Sequence, residues 1–176
     1  TESGIEASAY LSDNWRISER VSLDFGVRLS MFNSNKFYVA PEFRLSGRVM
    51  LTDKISFKAG VNTMSQYIHM LSNSVSVSPT DIWKLSDKDI KPQTGWQAAG
   101  GFYATIFNNK VEASVEGYYK RMDNYLDYKS GAVIIMNKNI AEDVIITQGR
   151  AYGVEVLLKK SVGKLNGWLS YTYSKT

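Results

Sequence analysis

His69 is the only imidazole in the 176 residues, and there is no cysteine. A histidine can ligate a metal, act as a base or meet a ligand, but each use needs company. No second histidine exists, so a zinc-type site would draw its other ligands from carboxylates elsewhere. No Gly-x-Ser-x-Gly nucleophile elbow is present for His69 to serve. The bland alternative is a loop histidine packed among Ile68, Met70 and Leu71. Asp81 and Trp83 lie nearby in the chain. An indole can stack on a sugar or a flat organic ligand; otherwise Pro79-Thr80-Asp81 is a turn and Trp83 anchors its loop. Arg28, Arg44, Arg48 and Lys58 are a third group. They form either a basic ladder that attracts anionic ligands or structural pairs with Asp24, Glu42, Glu112 and residues of another segment. Asp123, Asp127, Glu142 and Asp143 could hold calcium if they converged, but they lack the Asp-x-Asp-x-Asp-Gly spacing.

Composition narrows the classes further. Lys plus Arg is 21 and Asp plus Glu is 17, a net charge of +4. The excess is scattered and forms no basic block for nucleic acid. Without cysteine there is no disulfide framework, thiolate site or cysteine nucleophile. The longest uncharged apolar run is Ala132–Met136, far too short for a spanning helix. A membrane β-barrel stays open, because its strands average to a middling hydropathy. The chain opens Thr1-Glu2-Ser3-Gly4 with no secretory leader. An internal or processed segment is therefore expected.

The elements that must position these residues show as alternation with period two. Over 21–31, Val21, Leu23, Phe25, Val27, Leu29 and Met31 alternate with Ser22, Asp24, Gly26, Arg28 and Ser30. A strand puts the two sets on opposite faces. The same pattern marks 43–51, 55–63, 96–106, 111–121, 152–158 and 165–173, and more weakly 5–15, where Asp13 falls on the apolar side. Eight strands are predicted. Several reach the roughly 9–11 residues that cross a bilayer at a tilt. Short connections at 16–20, 52–54, 107–110 and 161–164 carry hairpin residues. Long ones are expected at 33–41, 64–94 and 123–149. Strict alternation of short and long connections suits an up-and-down membrane barrel. So do mid-strand charges (Asp24, Arg28, Arg44, Arg48, Lys58, Glu112, Glu116) on the polar face. Aromatics near strand ends (Trp15, Phe32, Phe43, Phe57, Trp96, Phe107, Tyr119, Tyr171, Tyr173) fit the two bilayer interfaces. The alternative is a soluble sandwich, whose apolar face packs on a second sheet.

Five stretches carry a resemblance. Gln66-Tyr67-Ile68-His69-Met70-Leu71 is followed by Pro79-Thr80-Asp81-Ile82-Trp83 and Ile90-Lys91-Pro92-Gln93. Ala9–Trp15 runs into Val21–Leu29. The others are Pro41–Ser46, Val115–Lys120 with Asp127-Tyr128, and Ala151–Glu155 with Gly167-Trp168 and Ser170–Ser174. In this order they resemble TonB-dependent outer-membrane receptors, in particular those of Bacteroidota. The resemblance implies an all-β fold: an antiparallel, up-and-down transmembrane barrel, of which these are about eight of 22 strands. Residues 1–176 would be a single interior section of that barrel, without the plug domain. It implies a bacterial outer-membrane transporter for a scarce nutrient: a ferric siderophore, cobalamin, a glycan or a peptide. Implied partners are the TonB complex through the plug, outer-membrane lipid, the nutrient and a surface lipoprotein; nucleic acid is not among them. No cofactor, resident metal or catalytic residue is expected, and the chain is not expected to be an enzyme. The ligand-facing set is Arg44, Arg48, His69, Asp81 and Trp83. The alternative is a complete small eight-stranded barrel that serves in binding or adhesion.

Overall fold

The computed structural model describes residues 2–71, 82–128 and 144–176. Among them there is no helix. The strands are β1 (Ile5–Ser18), β2 (Val21–Asn33), β3 (Phe37–Met50), β4 (Ile55–Gln66), β5 (Ile68–Leu71), β6 (Ile82–Leu85), β7 (Gln93–Ile106), β8 (Val111–Tyr128), β9 (Val144–Lys160) and β10 (Gly167–Lys175). Eight of them make one antiparallel sheet in the order β1-β2-β3-β4-β7-β8-β9-β10. β5 and β6 form a separate two-stranded ribbon. β1 and β10 are the two edges of the large sheet and do not pair with each other. The sheet is open, so these eight strands are not the small closed barrel of the alternative expectation.

Register decides what the alternation does. Directly paired residues of an antiparallel ladder share a face. One row reads Leu45, Val61, Ala98, Tyr119 and Tyr152 across β3, β4, β7, β8 and β9. Another reads Val49, Phe57, Phe102, Val115, Val156 and Tyr171, reaching β10. Phe25 pairs with Leu45, and Leu11 with Val27, so β1 and β2 join the same face. A one-residue slip anywhere would turn a strand's apolar set over. None occurs between these rows. Eight separate alternations thus become one continuous apolar surface, most of whose large side chains stand exposed.

The four connections expected to be short all lie at one end. β7 and β8 join through Phe107, Asn108 and Asn109, all at positive φ (51°, 55° and 62°). Asparagine tolerates that region better than most residues. At β3–β4 the Thr52 hydroxyl accepts from the N–H groups of Lys54 and Ile55, at 3.2 and 3.0 Å. At the opposite end the outcome differs from the sequence expectation. The connection expected at 33–41 is a tight turn at 34–36, because β3 starts at Phe37 rather than 43. Phe37, Val39 and Pro41 continue the apolar parity opposite Asn33, Met31 and Leu29. β8 and β9 likewise extend to Tyr128 and back to Val144. The 64–94 excursion contains the β5–β6 ribbon. Leu51, assigned to the third strand, lies in the turn after β3.

Close strand packing depends on Gly101. A Cβ there would lie 2.5 Å from the Val115 carbonyl oxygen and 2.9 Å from Glu116 Cα, both backbone atoms of β8. At Gly117 the nearest atom is 3.9 Å away. In the complete receptor, Gly101→Val should therefore destabilise the wall by about 1–3 kcal/mol, the cost of overpacking. Gly117→Val should be near neutral. Denaturant midpoints of the two variants in detergent check this.

Candidate functional site: the polar face and the ribbon folded over it

The second face of the sheet holds the charged residues. One register row runs Arg16, Ser22, Arg48, Lys58, Gly101, Glu116 and Glu155 from β1 to β9. It places three cations ahead of two carboxylates. A second row runs Gly26, Arg44, Asn62, Gln97 and Lys120. Pairing accounts for part of this charge. Arg28 reaches Glu6 at 3.7 Å and Glu42 at 3.9 Å. Glu112 meets Lys159 at 3.7 Å, and Asp24 accepts from the Asn14 amide. Lys58 sits 4.3 Å above the Tyr103 ring, and the Tyr103 hydroxyl donates to Glu116. Arg44 and Arg48 have no ion pair or side-chain hydrogen bond among the described residues. Structural pairing thus holds for Arg28, while Arg44 and Arg48 keep free guanidinium groups on the polar face.

Over the β2–β3 end of the same face lie residues 67–71 and 82–92. Tyr67 is their anchor. Its ring stacks on Phe32 with centroids 4.9 Å apart, and its hydroxyl bonds the Ser30 hydroxyl at 2.6 Å. Tyr67, Phe32, Ser30, Ile90, Ser86 and His69 are all buried in an otherwise exposed sheet. Phe32, expected at a bilayer interface, instead has the polar-face parity of β2 and belongs to this small core. Tyr38 Oη donates to the Asp87 carbonyl at 2.6 Å, and Ser34 Oγ to the Ser86 carbonyl at 2.7 Å. The Asp87 carboxylate accepts from the N–H groups of Asp89 and Ile90, at 2.9 and 2.8 Å. Where β3 and β4 separate, side chains replace the ladder. The Phe43 N–H donates to Thr63 Oγ1 and the Ser65 N–H to Glu42 Oε1.

His69 is 3% exposed, with Nε2 2.9 Å from Ser86 Oγ. Its strand neighbours Ile68 and Met70 are exposed, so it is not packed among them. Ser86 is fully buried and Asp87 spends its carboxylate on Lys84, at 2.7 Å, and on backbone amides. The histidine–serine contact is a structural hydrogen bond rather than an exposed nucleophile with its base. Burial pushes the His69 imidazole below its ordinary value of 6.5, against a smaller upward pull from Asp87. Burial alone would raise Asp87 and lower Lys84. Their mutual hydrogen bond, with Glu2 on Lys84 and the Ile90 and Asp89 amides on Asp87, reverses both shifts.

The ribbon's opposite side carries Ile68 against Leu85 and Met70 against Trp83. Met70 is 50% and Trp83 64% exposed. Trp83 therefore does not anchor the loop; Tyr67 does. Asp81, Glu142 and Asp143 lie outside the described residues. Among the described residues no three His, Cys, Asp or Glu side chains converge on a metal-sized space. Of the five expected residues, the four that are described separate into Arg44 and Arg48 on the sheet, Trp83 on the open side of the ribbon and His69 on its buried side. The residue that the sequence analysis missed is Tyr67. It follows β4 directly with the odd, apolar-face parity of that strand, so the local pattern gives no sign that its ring packs over the polar face.

Residues 2–176 match the family model "TonB dependent receptor-like, beta-barrel". The chain belongs to this family. No curated protein matches this receptor section in sequence. Solved structures share its fold at low identity. The siderophore receptor PirA from Pseudomonas aeruginosa superposes with a TM-score of 0.71 at 15% identity, over 98% of this chain and 34% of its own. The alcaligin outer-membrane receptor FauA from Bordetella pertussis gives 0.65 at 15% identity, over 97% and 30%. The RagAB peptide importer gives 0.61 at 16% identity, over 96% and 21%. The chain thus spans about a third or less of the structures it resembles.

Two outcomes are expected of the ribbon. Tyr67→Ala removes the stack on Phe32 and costs about 3–5 kcal/mol of local stability, so trypsin cuts faster after Lys84 while the sheet stays intact. The second concerns pH. His69 titrates below 6.5 when buried and near 6.5 once the ribbon detaches. Attachment is therefore full above pH 6.5 and is lost progressively as pH falls toward the buried value. Exchange protection of the Ser86 N–H, which bonds the Tyr67 carbonyl at 2.8 Å, should fall across that window after correction for the intrinsic rate. His69→Gln should abolish the trend.

Proposed function

We propose that residues 1–176 form part of the barrel wall and ligand-side loops of a TonB-dependent transporter in a bacterial outer membrane. The observation that carries this is the single apolar face running through eight register-matched strands, opposite a charged face bearing the folded ribbon. In a chain of this family the apolar face meets lipid and the charged face lines the lumen. The sheet's free edges at β1 and β10 are continued by further strands of the same wall.

The ribbon end faces the outside, where the scarce nutrient arrives. Trp83, with Met70 beside it and Asp81 two residues earlier in the chain, meets the ligand first. Arg44 and Arg48 supply positive charge deeper along the lumenal face, which favours an anionic cargo or acidic groups of the plug domain. His69 serves by positioning: it fixes the ribbon that presents Trp83. The structural neighbours include siderophore receptors and a peptide importer. An anionic ferric siderophore suits the unpaired arginines best. On this reading a surface lipoprotein meets the outer end of the barrel and the TonB complex acts from the inner end through the plug.

Deleting the full-length receptor should abolish growth on ferric siderophore as sole iron source. The receptor should restore growth only in cells that have TonB. Arg44→Gln with Arg48→Gln should reduce uptake of an anionic ferric tris-catecholate about tenfold, roughly 1.4 kcal/mol, at unchanged receptor abundance. Restoration without TonB would contradict the proposal.

A further inference from the structure

The apolar face ends abruptly at the long-loop side of β7, β8 and β9. Trp96, Tyr119 and Tyr152 form a ring ladder there, with centroids 5.4 and 6.4 Å apart. From Ile106 to Trp96 the outward residues of β7 cover about 33 Å of strand at ~3.3 Å per residue. At a tilt of ~40° that is about 25 Å of depth, the height of the apolar band of an outer-membrane barrel. The ladder thus lies where a bilayer interface belongs.

Immediately beyond it the face turns cationic. Arg121 is the register partner of Trp96 on one side and of Arg150 on the other. Both arginines have the parity of the apolar face, two residues past Tyr119 and before Tyr152, and both are exposed. Like charges directly opposite on neighbouring strands destabilise a sheet. One carboxylate offsets them in part: Arg121 lies 3.3 Å from Asp123 Oδ1 and also 3.3 Å from Gln148 Oε1. Arg150 has no ion pair among the described residues. Lys175 adds a further cation on the Tyr152 row. Two guanidinium forks at an aromatic belt are suited to a phosphate, which each can bind bidentately.

We propose that Arg121 and Arg150 bind the phosphate of an anionic lipid in the leaflet on the long-loop side. The site rests on the apolar face meeting lipid, as proposed above. An acidic phospholipid headgroup would neutralise the arginine pair while its chains pack along Val115, Val154 and Val156.

The test uses the full-length receptor in phosphatidylcholine nanodiscs doped with phosphatidic acid, followed by native mass spectrometry of the released protein. The wild type should retain phosphatidic acid in preference to phosphatidylcholine. Arg121→Gln with Arg150→Gln should lower that retention at least about tenfold, the order expected for two basic groups at a lipid surface. Arg121→Lys with Arg150→Lys should keep most of it and reports on the site even if the glutamine variant assembles poorly. Unchanged retention in a folded glutamine variant overturns the proposal. So does displacement of the lipid by inorganic phosphate alone, which would make this a free-phosphate site. Quenching of Trp96 by brominated lipid separates the two levels. Quenching with no loss of retention removes only the phosphate site; absence of quenching removes the lipid-facing assignment beneath it.

Discussion

Everything in this molecule depends on cross-strand register. A strand has two faces whatever surrounds it, but only pairing decides whether neighbouring strands agree on which face is which. Here Val49, Phe57, Phe102, Val115, Val156 and Tyr171 fall on one row. The row below the ribbon does the same for Arg48, Lys58, Glu116 and Glu155 on the reverse side. A continuous apolar surface of this size cannot stay in water. In the proposed membrane setting lipid covers it, the ladder satisfies the backbone groups and the apolar side chains satisfy the solvent. On the same reading the charged face is left for the wet interior of the complete barrel, where mid-strand arginines cost little.

The ribbon is the one place where the described residues build a conventional core. Its energy comes from few contacts: the Tyr67–Phe32 stack, the hydroxyl pair Ser30–Tyr67, and the His69–Ser86 and Lys84–Asp87 links. These hold one side of β5–β6 against the sheet and leave Met70 and Trp83 turned outward. An anchored loop that presents an aromatic surface loses less entropy on binding than a loop ordered by its ligand. The buried histidine belongs to that anchoring, and burial holds its imidazole below the ordinary value.

Much of the wall was legible in the sequence, because alternation over nine or more residues is a strong local signal. Val21–Met31 and Val111–Tyr119 show it without ambiguity. Ends were less legible. β3 begins six residues earlier than expected, since Tyr38 and Ala40 look like loop residues until Val39 and Pro41 are seen to pair with Met31 and Leu29. The site was legible only as residue types. Arg44 and Arg48 fall on the predicted polar face, but which arginine pairs and which stays free depends on rows that join distant strands. His69 and Trp83 are fourteen residues apart and sit on opposite sides of one ribbon, a relation set by the pairing His69–Lys84 and Met70–Trp83. Tyr67 gave almost no local cue, because its role exists only against Phe32 on another strand.

On the proposed reading, odd-numbered residues of β8 from Val111 to Arg121, ahead of the register shift after Met122, face lipid and even-numbered ones face water. The 176 residues contain no cysteine, so single cysteines from 111 to 118, in a complete receptor with any cysteine elsewhere replaced by serine, report on this strand alone in native membranes. A water-soluble maleimide should label Glu112→Cys, Ser114→Cys, Glu116→Cys and Tyr118→Cys and spare Val111→Cys, Ala113→Cys, Val115→Cys and Gly117→Cys. Labelling with no period of two, or with the opposite parity, would contradict the account.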